Sequence, residues 1–232
     1  MESHNGKRSH PSRGPNSSGS LPAWKWTGAE ALGLVHELNE HCLEMLEKLT
    51  EKLPQEIRTD GALEAVRLHR DLWRRLDKTA RRRAAGCPFL LIDVNFQNET
   101  WWRSAQDDRS EAGSGAATTS FFPAKVAREL MGETLMLAWL TARSDGRTAT
   151  LLLGLAPAVA DIIASLRPRE IRRIIARHSS QLRPRWETSP QFWQRLLVAA
   201  TGGTDASLID VHLNGLQLLG AELIPTGRLG HA

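Results

Sequence analysis

The sequence predicts a mainly α protein. Apolar residues recur three and four apart along most of the chain, which places them on one face of a helix. Prolines and capping residues stand where first helical turns need them, and glycines where helices stop. One stretch, CPFLLIDVNF at 87–96, breaks this rhythm.

Residues 1–26 read as a disordered basic tail. Its first 22 residues are rich in Ser, Gly and Pro, and no apolar run follows the charges, as a secretory signal requires. Thr27 with Glu30 three residues on forms a capping-box pattern. A helix then carries Leu34, Val35, Leu38, Cys42, Met45, Leu46 and Leu49 to about Leu53–Pro54. A second helix is expected from Asp60 to about Arg83, through Leu63, Val66, Leu68, Leu72, Trp73 and Leu76.

In CPFLLIDVNF, Pro88 cannot continue a helix, and Phe89, Leu91, Val94 and Phe96 favour an extended chain. One short strand or extended segment is expected there, with a partner from another segment or subunit. Residues 27–106 thus form an N-terminal helical domain. The small polar stretch 107–120, DDRSEAGSGAATTS, reads as a linker.

Residues 121–225 form a second helical domain, followed by a tail at 226–232. Pro123 opens a helix to about Arg143, and Asp145-Gly146 marks a turn. A short helix at 148–153 ends at Gly154. Pro157 and Pro168 open helices to Leu166 and His178. Ser189-Pro190 opens another, stopped by Gly202-Gly203, and Thr204 or Asp205 caps the last. Helix, short glycine turn and helix over 190–219 have the outline of a helix-turn-helix.

The 232 residues carry a net charge of +4, which permits a phosphate polymer as a partner without demanding one. Two cysteines, Cys42 and Cys87, suit a reduced cytoplasmic setting and read as buried small hydrophobes. No run is long and apolar enough to span a bilayer, so no membrane partner is expected.

HELNEH, residues 36–41, resembles a zinc-protease helix, but its histidines lie five apart, about 140° around a helix. They read as residues of a solvated face, and no metal site, cofactor or catalytic residue is expected. RRLDKTARRR, residues 74–83, is a basic cluster, read as a solvated face or a contact for nucleic acid or an acidic partner.

Residues 168–178 are the strongest case for contact. Ile171, Ile174 and Ile175 mark one face, while Arg169, Arg173 and Arg177 align four apart on another, beside Arg172. Such a stripe attracts phosphates without reading sequence, although a solvated face accounts for it equally. The helix over 124–142 carries Val126, Leu130, Leu135, Leu137, Trp139 and Leu140 on more than one face. Burial on both sides makes Leu130, Leu135, Leu137, Trp139 and Leu140 the expected dimer seam.

ATLLLGLAPAVADIIASLRPREIRRIIARHSSQLRPRW, residues 149–186, resembles the FlhD family, subunits of the bacterial flagellar master transcriptional regulator. The likeness lies in the order and spacing of elements: a short helix ending in Leu-Gly, a helix ending in Ala-x-Leu, a Pro-containing turn, and an amphipathic helix leading to Gln-Leu. It extends from about Ala127 to Leu223, covering an FlhD-like helical domain with a helix-turn-helix-like C-terminus. Arg183 and Pro184 stand where the family pattern can show a cysteine, and Leu152 and Thr204 stand at positions that can be basic. Asp145 matches an acidic position.

The resemblance implies a helical homodimer that works with an FlhC-like companion subunit to activate transcription of flagellar or related genes. It also implies that the final helical pair approaches DNA, at Gly203, Thr204, Asp205 and His212. The expected function is therefore that of a non-enzymatic, cytoplasmic, DNA-binding regulator. The other reading is a protein-binding adaptor that never touches DNA.

Overall fold

The computed structural model describes residues 27–52, 64–107 and 120–224. The expected tails at 1–26 and 226–232 and most of the 107–120 stretch lie outside the described residues, as do the first residues of the second expected helix.

The fold is mainly α, as expected. Helix α1, Gly28–Lys52, opens with the anticipated capping box: the Thr27 amide donates to Glu30 Oε2 at 2.8 Å, and the Glu30 amide to Thr27 Oγ1 at 3.3 Å. The single helix expected up to Arg83 is instead three: α2 at Glu64–Leu68, α3 at Arg70–Arg74 and α4 at Lys78–Ala85. A local cap accounts for the last break. The Asp77 side chain accepts from the Ala80 amide at 2.8 Å, starting a new helix where the old one would have continued. The breaks let both Trp73 and Leu76 turn into the core, each 1% exposed.

The extended segment contributes β1, Ile92–Asp93, and Asn98 then caps α5, Glu99–Gln106, which brings Trp101 and Trp102 in on a helix. The second half follows its punctuation closely: α6 at Ala124–Ser144, α7 at Gly146–Leu153, α8 at Pro157–Ser165 and α9 at Pro168–His178. A 3-10 turn at Ser179–Gln181 leads to β2, Arg183–Pro184. The chain then forms α10, Pro190–Gly202, and α11, Asp205–Leu223. Thr204 caps α11, its hydroxyl accepting from the Ser207 amide at 3.2 Å.

The partner of β1 lies in the same chain. Ile92 pairs with Pro184 and Asp93 with Arg183, antiparallel, across the whole 107–120 stretch. The core is equally continuous. Val35 and Leu43 of α1, Phe89 and Phe96, Leu130 of α6, Ile174 of α9 and Leu196 of α10 belong to one buried cluster. The two expected domains therefore share a core. Helix α6 lies in it, packed by α1 on one side and by α7, α8 and α9 on others.

That arrangement corrects the expected dimer seam. Leu130, Leu135 and Leu137 are 0%, 1% and 6% exposed within one chain, so the chain's own helices cover them. Trp139 is half-buried; its indole donates to the Leu166 carbonyl at 2.8 Å, and the Arg143 guanidinium lies 4.8 Å above its ring. Leu140 is half-buried at the rim of a groove. Among the described residues, large apolar side chains left uncovered are scattered, with Leu151 on α7, Val198 on α10 and Met136 on α6, but three recur along one helix, α11: Ile209, Leu213 and Leu216 are 57%, 53% and 39% exposed.

Among the described residues, no single helix is long and apolar enough to cross a membrane; α7 and α8 are apolar together but meet at 117°. Cys42 and Cys87 are buried and unpaired, and burial pushes both thiols well above their ordinary range.

Candidate nucleic-acid interface

Helix α9 has the strongest separation of faces in its sequence. Ile171 and Ile174 are buried and Ile175 half-buried against the core, which turns the arginines outward. Pro168 starts the helix, and the Arg167 amide donates to Glu170 Oε2 at 2.7 Å, fixing its first turn. Arg169, Arg172 and Arg177 are exposed. Arg173 is half-buried and donates to the Gln106 carbonyl at 2.5 Å, so it caps the end of α5. The stripe thus divides: Arg173 ties two helices together, while Arg169 and Arg172 face solvent.

The basic cluster at 74–83 is spent largely within the chain. Arg81 reaches Glu47 of α1 at 2.5 Å, and Arg82 lies 3.5 Å from Glu40. Arg83 donates to the carbonyls of Ala200 and Gly203 at 3.0 and 2.9 Å and to Asp205 at 3.2 Å. These contacts fasten α4 to α1 and to the α10–α11 turn. An arginine that caps a helix end satisfies carbonyls that otherwise lack partners.

At the helix-turn-helix-like end, Thr204 is exposed but its hydroxyl is engaged as the cap of α11. His212 does not face outward as the family resemblance implies. It is half-buried, and its Nε2 is fully enclosed without a hydrogen-bond partner. His36 of α1 is in the same state, and the two rings lie close enough to interact electrostatically. Burial lowers the pKa of each, and His36 lowers that of His212 further. The expected solvated histidine face on α1 is accordingly not open: His36 is half-enclosed, and His41 is half-buried with its Nδ1 2.8 Å from Glu133 Oε2.

Arg185 is a functional-looking group that sequence reasoning missed. It is 2% exposed and sits among partners from across the fold. Nε donates to the Leu90 carbonyl at 3.1 Å, Nη2 to the Leu153 carbonyl at 2.9 Å, and Nη1 to Glu222 at 2.7 Å, with Asp93 3.6 Å away. Gly154 makes room for it. Its φ of +69° suits glycine, and a Cβ there would lie 2.7 Å from Arg185 Nη1. Trp186, beside it, holds a left-handed φ of 54°, with its indole on Glu222 Oε1 at 2.6 Å and its ring against Phe192. An arginine in an arginine-rich run carries no sequence signal of burial.

Glu187 and Arg183 pair at 3.2 Å near the same surface cleft, and burial pushes the Glu187 carboxyl above its usual range despite that partner. Among the described residues, one group combines metal-ligand types on two helices: His41 of α1 with Glu129 and Glu133 of α6.

Compared with known proteins, the chain matches no family model, no curated protein and no solved structure.

Proposed function

We propose that this chain is a non-enzymatic subunit of a transcriptional regulator of the FlhD type. It acts in the cytoplasm as a homodimer with an FlhC-like companion, and it contributes phosphate attraction while the companion contributes sequence choice. The observation that carries the reading is α9: its isoleucines are committed to the core, and Arg169 and Arg172 stand exposed on the opposite side. Guanidinium groups held on a rigid helix match phosphate oxygens, and their binding releases counterions. Self-association falls to α11, whose uncovered Ile209, Leu213 and Leu216 recur four and three apart, the spacing of a helix-pairing seam.

The experiment is a salt titration of binding to a fluorescent DNA duplex, with the chain alone and with its companion subunit. Affinity is expected to fall steeply with salt. Arg169→Gln with Arg172→Gln should flatten the log–log slope by about 2 if each contacts one phosphate.

An adaptor without DNA contact is the second reading, and α11 favours it. The would-be recognition helix carries Asp205, Asp210 and exposed aliphatic residues, with no Lys or Arg. Absence of any salt-sensitive DNA binding, alone and with the companion, would leave this reading standing.

A further inference from the structure

We propose that His41, Glu129 and Glu133 form a binding site for a divalent transition-metal ion of the zinc type. The three come from two helices that pack directly on each other. Glu129 and Glu133 stand one turn apart on α6, so both carboxylates project from the same side. His41 projects from α1 to meet them, with Nδ1 2.8 Å from Glu133 Oε2. One ligand atom from each residue lies within 4.8 Å of the others. Zinc bound to nitrogen and oxygen needs distances of about 2.0–2.2 Å, so small side-chain rotations close the set around one ion.

The charge balance favours a cation. Two carboxylates at i and i+4 repel, and the single hydrogen bond between His41 and Glu133 offsets only part of that. A divalent ion neutralises both carboxylates at once. In doing so it takes the lone pair of His41 Nδ1, and the ring bound in this way carries its proton on Nε2. The donor set selects the ion: an imidazole with two carboxylates suits zinc, nickel or cobalt, whereas magnesium and calcium prefer oxygen alone.

Three protein ligands leave a tetrahedral ion one open position. His41 and Glu133 also line a groove of about 470 Å³, with Leu34, Leu38, Met136 and Leu140 as its apolar walls and Glu37 at its edge. That groove adjoins the site and has room for water or a small ligand on the ion. Because the ligands bridge α1 and α6, a bound ion would clamp the two halves of the chain together.

The test uses the full chain without an affinity tag and Zn²⁺ as the probe, measured against a chromophoric chelator. Co²⁺ is the spectroscopic reporter. The wild-type chain is expected to take up one equivalent that His41→Ala, Glu129→Gln and Glu133→Gln each weaken at least tenfold. Visible Co²⁺ absorption of a four-coordinate ion should be lost in the same variants, and Zn²⁺ should raise the Tm of the wild type alone. All three side chains are at least partly exposed, and melting in metal-free buffer verifies that each variant folds. Glu37→Gln, at the groove but outside the ligand set, should bind as the wild type does. The proposal is overturned if the wild type takes up no ion, or if the three ligand variants bind Zn²⁺ as tightly as the wild type, in which case other histidines hold it.

Discussion

Arg185 Nη1 lies 2.7 Å from the Glu222 carboxylate, and this contact ties β2 to the last turn of α11. The arginine side chain is 1% exposed and the glutamate 31%, so the two ends of the pair stand in different dielectrics. Removing the arginine leaves two buried backbone carbonyls without their donor and Glu222 with only the Trp186 indole; removing the glutamate leaves a guanidinium still held by the Leu90 and Leu153 carbonyls, with Asp93 3.6 Å away. Arg185→Ala is expected to cost about 3–5 kcal/mol of folding stability, and Glu222→Gln clearly less. Urea unfolding followed by tryptophan fluorescence measures both.

Stability should also fall as the solution is acidified through the histidine range. Burial lowers the folded-state pKa of His36 and of His212 below the ordinary 6.5. The unfolded chain therefore takes up protons first as pH drops, and the native state is penalised. The contribution is fully present above about 6.5 and is lost as pH falls through the lower, folded values. His178 adds in the same direction, through burial first and then Arg177 and Arg173. A His36→Gln, His212→Gln double variant should show a flatter curve of unfolding free energy between pH 7.5 and about 5.

Two glycines of α11 should respond to alanine with opposite signs. A Cβ at Gly215 would stand 2.1 Å from Phe89 Cζ, on a ring held by Trp186 and Phe192. Gly215→Ala is expected to destabilise by about 1–3 kcal/mol through overpacking. A Cβ at Gly220 meets nothing within 4 Å, so Gly220→Ala should stabilise the helix by about 0.5–1 kcal/mol. Paired thermal melts decide the signs.

Variants on α6 and α11 test folding and the proposed self-association separately. Leu130→Ala empties a fully buried site and should cost about 2–5 kcal/mol. Leu213→Glu with Ile209→Glu alters exposed positions and should leave stability within about 0.5 kcal/mol for each site. The same double variant should abolish self-association in sedimentation equilibrium. Retained self-association would place the contact elsewhere.

Much of the fold was legible because its punctuation is local. Pro157, Pro168, Gly154 and Thr204 each act within one turn, and each marks a helix end where expected, while Asp145 caps α7 directly at Gly146 in place of the expected turn. The breaks among α2, α3 and α4 were not legible, because they serve distant partners: they turn Trp73 onto Trp193 of α10, with centroids 5.9 Å apart. The β2 partner was hidden in Arg183–Pro184, two residues without alternation. For the site, the arginine side of α9 was readable from its spacing. The inward aim of His212 and the burial of Arg185 were not, since both depend on residues far away in sequence. The apolar faces of α6 looked like a seam between twins because spacing reports burial and says nothing of whose helix supplies it.

The β1–β2 pairing and the shared core have a consequence for dissection. The pieces before and after residue 107 cannot be separate building blocks, since each lacks the surfaces that complete it. Expressed singly, either fragment would present bare aliphatic faces and should clump. Co-expressed, 27–107 and 120–224 should reassemble as a split pair, held by Arg83 on the α10–α11 turn and by Phe89 against α11.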